Sequence, residues 1–161
     1  MTNHNRRNSD GFSLIEILIV IVAVGVLVAI VVNTFAGIQA RSRNSQRTDD
    51  LKTLQEHIES FFAHNMYYPS LSDMNNPSWL KANMKGVSTS MYADPSWTPH
   101  NTKCTLNGHP ILLKKSEPGC FGYDPSNNGA SCESSDTTCD DYTLSASLEQ
   151  GAGTYDLSQL D

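Results

Sequence analysis

The sequence predicts an α+β protein: one long amino-terminal α-helix whose carboxy-terminal half packs on a small antiparallel sheet. Three observations predict it. From Ile17 to Ala40 no residue is charged for 24 positions. From Leu51 to Phe62 the apolar residues fall on one helical stripe. From Tyr142 to Leu148 apolar and polar residues alternate.

The composition narrows the class. Charged residues make up 17% of the 161-residue chain, against about a quarter in ordinary soluble domains. Eleven basic residues oppose 17 acidic ones, for a net charge of −6. That balance argues against a general nucleic-acid binder, and no specific nucleic-acid partner is expected. No Lys or Arg follows Lys115, and the last 46 residues carry nine acids. A solvated face accounts for them better than an acidic partner site or a cation site.

The apolar run is membrane-compatible. A hydrocarbon core of ~30 Å needs about 20 helical residues, and 24 residues reach about 36 Å. A core helix of a soluble domain would be apolar on one face only. Here every face is apolar, and no other part of the chain is apolar enough to cover them. A cleaved secretory signal would be shorter and followed by a small-x-small cleavage site. This run instead continues through Asn33-Thr34-Phe35 into an Arg-rich polar stretch. The segment is read as retained.

Charge does not orient it. Arg6 and Arg7 precede the run; Arg41, Arg43 and Arg47 follow it. The cysteines are more informative. Cys104, Cys120, Cys132 and Cys139 are even in number and all lie after the run, among Gly, Ser, Asn and Pro. That pattern suits disulfides in an exported domain. Zinc is disfavoured, because no C-x-x-C pair is present and His109 gives no standard ligand spacing. Pairing Cys132 with Cys139 across a short loop leaves Cys104 with Cys120. It is one of three connectivities, among which the sequence does not choose.

Glu16 does not fit a plain anchor. A carboxylate at membrane depth costs ~2.5 kcal/mol or more, and such a residue normally has a function and a partner. The next basic residue along the helix is Arg41. Cutting the chain before Phe12 would place a new α-amine one helical turn away.

At Gly11-Phe12-Ser13-Leu14-Ile15-Glu16, behind a short leader carrying Arg6 and Arg7, the chain resembles the class III signal of type IV pilins and pseudopilins. The resemblance implies the type IV pilin fold and cleavage by a prepilin peptidase between Gly11 and Phe12. It implies N-methylation of Phe12, and pairing of Glu16 with the amino terminus of a neighbouring subunit. It extends through Arg41–Leu51 to Phe61-Phe62-Ala63-His64-Asn65-Met66-Tyr67-Tyr68-Pro69-Ser70, and is weaker beyond. Many relatives have a proline inside the apolar helix near Asn33; this chain has none between Phe12 and Tyr68. Any melting of that helix would have to use Gly25, Asn33-Thr34 or Gly37.

The expected organisation is a cleaved leader at 1–11, a membrane or filament-core helix at 12–40, the amphipathic half of the same helix at 41–68, and a strand-and-loop head at 69–161. Leu51, Leu54, Ile58, Phe61 and Phe62 form the stripe, with Gln55, Glu56 and Glu59 off it. The whole helix would run about 55 residues, ~80 Å, and stop before Pro69. A short helix should start at Asn76-Pro77 and stop at Gly86, with Trp79, Leu80 and Met84 inward. Strands are expected at 110–114, 120–123 and 142–148, in a sheet of three or four strands, with a polar loop from Asp124 to Asp141.

Other chemistry is weaker. Asp124-x-Ser126-x-Asn128-Gly129 has the first-half spacing of an EF-hand loop, but Ser135 stands where the bidentate glutamate belongs. An Asx-turn is the preferred reading, and no metal or other cofactor is expected. No catalytic signature links the five histidines, four cysteines and serines, so an enzyme is not expected.

The resemblance therefore implies a prepilin. It would be a structural subunit of a pilus-like filament, a single-pass membrane precursor with its amino terminus inside and its head outside, and a surface filament after assembly. The implied partners are other pilin subunits, the membrane, a prepilin peptidase and N-methyltransferase, an assembly ATPase and a platform protein. A type II secretion pseudopilin is the neighbouring reading. A non-polymerising tethered binding module is the reading from another class, and Glu16 argues against it.

Overall fold

The computed structural model describes residues 12–134 and 138–160, without the side chains of residues 32–34 and 36. The fold is α+β: a long apolar amino-terminal helix followed by a small antiparallel sheet. Contacts divide the chain into two compact units, Met1–Gln39 and Ala40–Asp161.

Helix α1 is Leu14–Asn65, 52 residues. It stops at Asn65, and Met66 takes a left-handed φ of 62° while its N–H still reaches the Phe62 carbonyl at 2.7 Å. In the first unit, the large apolar side chains described from Ile15 to Ile38 are all at least half exposed. The stretch Leu14–Val31 is long and apolar enough to cross a membrane.

In the second unit the stripe of α1 is buried: Leu51, Leu54 and Ile58 are at most 1% exposed. Helix α2 (Leu71–Met74) follows, closed by a Ser70–Asp73 capping box. Helix α3 (Pro77–Asn83) is capped by the Asn76 side chain, with proline in its first turn. Leu80 and Met84 point inward, and Trp79 is half-buried against the same core. A 3-10 turn covers Thr89–Tyr92.

Strands β1 (Thr105–Leu106) and β2 (His109–Pro110) make a small hairpin. The main sheet holds β3 (Phe121–Asn127), β4 (Ala130–Ser131), β5 (Asp141–Ser147) and β6 (Thr154–Ser158) in the order β4-β3-β5-β6, all antiparallel. Its inner face presents Phe121, Tyr123, Tyr142, Leu144 and Ala146 to the α1 stripe. Of the alternation expected from Tyr142 to Leu148, Tyr142, Leu144 and Ala146 are buried, but Ser145 is buried too, at 8% exposed, and the strand ends at Ser147.

Other expectations need correction. The polar loop expected from Asp124 begins four residues late, because β3 runs on to Asn127 and turns into β4. Asn128 (φ 48°) and Gly129 (φ 79°) form that two-residue turn, and the Asn-Gly pair is its chemical reason. The EF-hand-like spacing thus lies on a hairpin, while Ser135 and Asp136 lie outside the described residues. A strand over 110–114 is reduced to His109–Pro110, with a single bridge from Leu113 to Gly122. Gln55 and Glu59 are not idle. Gln55 is 8% exposed and donates to the Ser158 carbonyl at 2.6 Å. Glu59 accepts from the Tyr142 hydroxyl at 2.6 Å, the Tyr68 hydroxyl at 3.2 Å and the Leu160 N–H at 3.1 Å. Burial, then the charge of Glu59, pushes the Tyr68 hydroxyl up to about 12. It therefore stays a donor.

Candidate functional site

The site is built from the start of α1. Ser13 precedes the first helical residue, and its carbonyl accepts from the N–H groups of Glu16 at 3.0 Å and Ile17 at 3.3 Å. The Glu16 carboxylate turns back and accepts from the Ser13 N–H at 2.8 Å. This is the returning arm of a capping box, and it places an acid where the helix dipole favours one. Phe12 lies just outside the helix and is 85% exposed. Gly11 and the rest of the leader lie outside the described residues.

The chemistry of this segment is that of an unfinished surface. Burying each of these Val, Leu and Ile side chains would contribute ~1.5–3 kcal/mol. In the first unit nothing described covers them. Glu16 is the one acid among the residues from Phe12 to Gln39. It is also exposed. A lone carboxylate on an apolar helix can recognise a cation and little else.

The other predicted residues lie in the second unit. Cys104 is disulfide-bonded to Cys120 and Cys132 to Cys139, with Cα atoms 5.8 and 6.0 Å apart. The Asn101 amide donates to both sulfurs of the first bridge at 3.4 Å. The second bridge clasps the exit of α1. Tyr68 N–H donates to the Cys139 carbonyl at 2.9 Å, and Leu71 N–H to the Cys132 carbonyl at 3.2 Å.

Sequence reasoning missed one cluster. Arg47, read as part of a polar stretch, is 1% exposed. Its guanidinium donates to both carboxylate oxygens of Asp94, at 2.6 and 2.9 Å, and to the Asn44 amide oxygen at 2.9 Å. Glu149 lies 3.0 Å from the same guanidinium and also bonds Arg43. Its hydrogen bonds to Arg43, opposed by partial burial and helped by Arg47, hold the Glu149 carboxyl at about 2. No local signal marks Asp94 as a partner 47 residues away.

The family model described as the prokaryotic N-terminal methylation motif matches residues 6–32. The chain is type IV pilin-like. It is 37% identical over 73 residues to the type IV major pilin protein PilA of Myxococcus xanthus (strain DK1622). The match covers 45% of this chain and 33% of that protein, so the chain spans about a third of the length of the curated relative it matches. No solved structure matches the chain. The motif covers Phe12, Glu16 and the exposed apolar helix of this pilin-like protein, the same features that the geometry sets apart.

Proposed function

We propose that this chain is a prepilin: a membrane-held precursor that is cut between Gly11 and Phe12, methylated on the Phe12 amine and polymerised through its apolar helix into a surface filament. The observation that carries the reading is Glu16, exposed at the start of an otherwise acid-free apolar helix within the methylation motif. Cleavage would create a cationic amine at Phe12. Pairing with that amine in a neighbouring subunit would favour the charged carboxylate and offset much of its desolvation cost. The pairing would also set axial register, because the incoming Phe12 amine must lie level with a resident Glu16. Prepilin peptidase, methyltransferase, assembly ATPase and platform protein are the partners this reading requires. The amino terminus would lie inside and the disulfide-bearing unit outside, where thiols oxidise. On this reading the processed chain begins at Phe12, carries its helix at Leu14–Asn65 rather than the expected 12–68, and has its head at 69–161.

Two variants test it in a strain lacking other copies. Gly11→Val puts bulk at the cleavage site, and mass spectrometry should find an uncut precursor. Glu16→Val should be made, cut and stable, yet give at least about tenfold less sheared filament, a loss of ~1.4 kcal/mol or more in assembly. A valine-16 protein that forms filaments in normal yield would overturn the assembly role of Glu16.

A further inference from the structure

The second unit carries a cationic island that the assembly reading does not use. Two adjoining clefts, of about 400 and 450 Å³, flank α3: the first lies between α3 and the end of α1, the second between α3 and the 86–89 segment. His57, His64 and Lys85 line the first; Lys81 and Lys85 line the second. Lys85 and Met84 are common to both, so the clefts share a wall. No carboxylate lines either one. From Met74 to Ala93 the chain has no acid at all, although its net charge is −6.

The cations here are unspent. Arg43, Arg47, Lys103 and Lys114 each pair with an acid, whereas the described ion pairs leave out Lys81 and Lys85. Both lysines are exposed, as is His64, and His57 is half-buried. The Nδ1 of His64 lies 2.8 Å from the Ser60 carbonyl. A carbonyl only accepts, so that nitrogen carries a proton and Nε2 is the outward atom. Nε2 can donate to an anion only when the ring is the cationic imidazolium. The charged and titratable groups facing the two imidazoles across the cleft reduce to Lys85. No carboxylate lines the cleft to compete for these donors.

We propose that this double cleft binds a small soluble anion carrying two or more phosphate groups, one group per cleft with Lys85 between them. No arginine lines either cleft, so recognition rests on point charges rather than on a planar fork. Point-like ammonium and imidazolium donors suit a tetrahedral, multiply charged oxyanion. Neither cleft is lined by an exposed aromatic on which a base could stack.

Tripolyphosphate is the probe, titrated calorimetrically into the full chain in non-ionic detergent at about 50 mM salt, where screening is weak. Saturable binding is expected. Orthophosphate should bind about tenfold more weakly, since it fills one cleft. Lys85→Gln should weaken binding about tenfold, whereas Lys115→Gln, which removes the same charge elsewhere, should change it less than about twofold. Equal weakening by Lys85→Gln and Lys115→Gln would reduce the effect to net charge and overturn the site. So would absent binding, or citrate binding as tightly as tripolyphosphate.

Discussion

Gly122 shows how a single missing side chain lets two segments of this protein cross. It lies on β3 opposite Ser145, and the chain leaving Leu113 passes directly over it. A Cβ on Gly122 would lie 2.3 Å from the Ser145 hydroxyl and 2.4 Å from the Ser116 nitrogen. The serine side chain can rotate away, at the loss of its bond from the Ser116 N–H; the Ser116 backbone is held on both sides, by the Leu113–Gly122 and Glu117–Cys120 bridges. Gly122→Ala should therefore destabilise the second unit by about 1–3 kcal/mol, the usual cost of overpacking. Denaturant midpoints of the two proteins in the same detergent measure it. An unchanged midpoint would mean that the 113–117 crossing is not held against β3.

At the scale of elements, the β5–β6 turn is fastened to α1 by Glu149. Its N–H donates to the Asn44 side-chain oxygen at 2.9 Å, and its carboxylate meets Arg43 and Arg47. The carboxyl sits at about 2 in the folded protein, against an ordinary value of 4.5. A lowered carboxyl stabilises the fold at pH values above the unfolded one, and that contribution fades as pH falls from about 4.5 through about 2. Thermal midpoints of wild type and Glu149→Gln should thus differ at neutral pH and converge on acidification across this window. A difference that persists undiminished at pH ~2 would assign the stabilisation to packing rather than charge.

At the scale of the whole molecule, the second unit is held by one modest core and two covalent ties. Each disulfide contributes ~2–4 kcal/mol in typical cases. The Cys132–Cys139 bridge matters beyond its own loop, because both of its ends hydrogen-bond the chain at Tyr68 and Leu71 where α1 ends. Alkylating the intact, unreduced protein should label no cysteine. Reduction should expose all four and raise proteolysis near Pro69 before the rest of the unit opens. Four thiols labelled without reductant would place this unit in a reducing compartment and reverse the proposed topology.

The sequence by itself determined the elements whose signals are local. An apolar run, a stripe at helical spacing, Asn76-Pro77 and the alternation of Tyr142 to Ala146 all act within a few residues of themselves. The segment around Glu16 was legible for the same reason: a carboxylate in an uncharged run is conspicuous without any partner in view. Two hairpins, at Asn107-Gly108 and Asn128-Gly129, carried a local signal that the strand reading did not use; both asparagines have a positive φ. The tertiary structure alone decided the rest. It buried Arg47 on Asp94, set Glu59 under two tyrosines and the carboxy-terminal backbone, and brought His57 and His64 beside Lys85. Those pairings join residues between 9 and 101 positions apart. Charges and hydrogen-bond donors find partners through space, and a linear pattern records which groups need one but not which group supplies it.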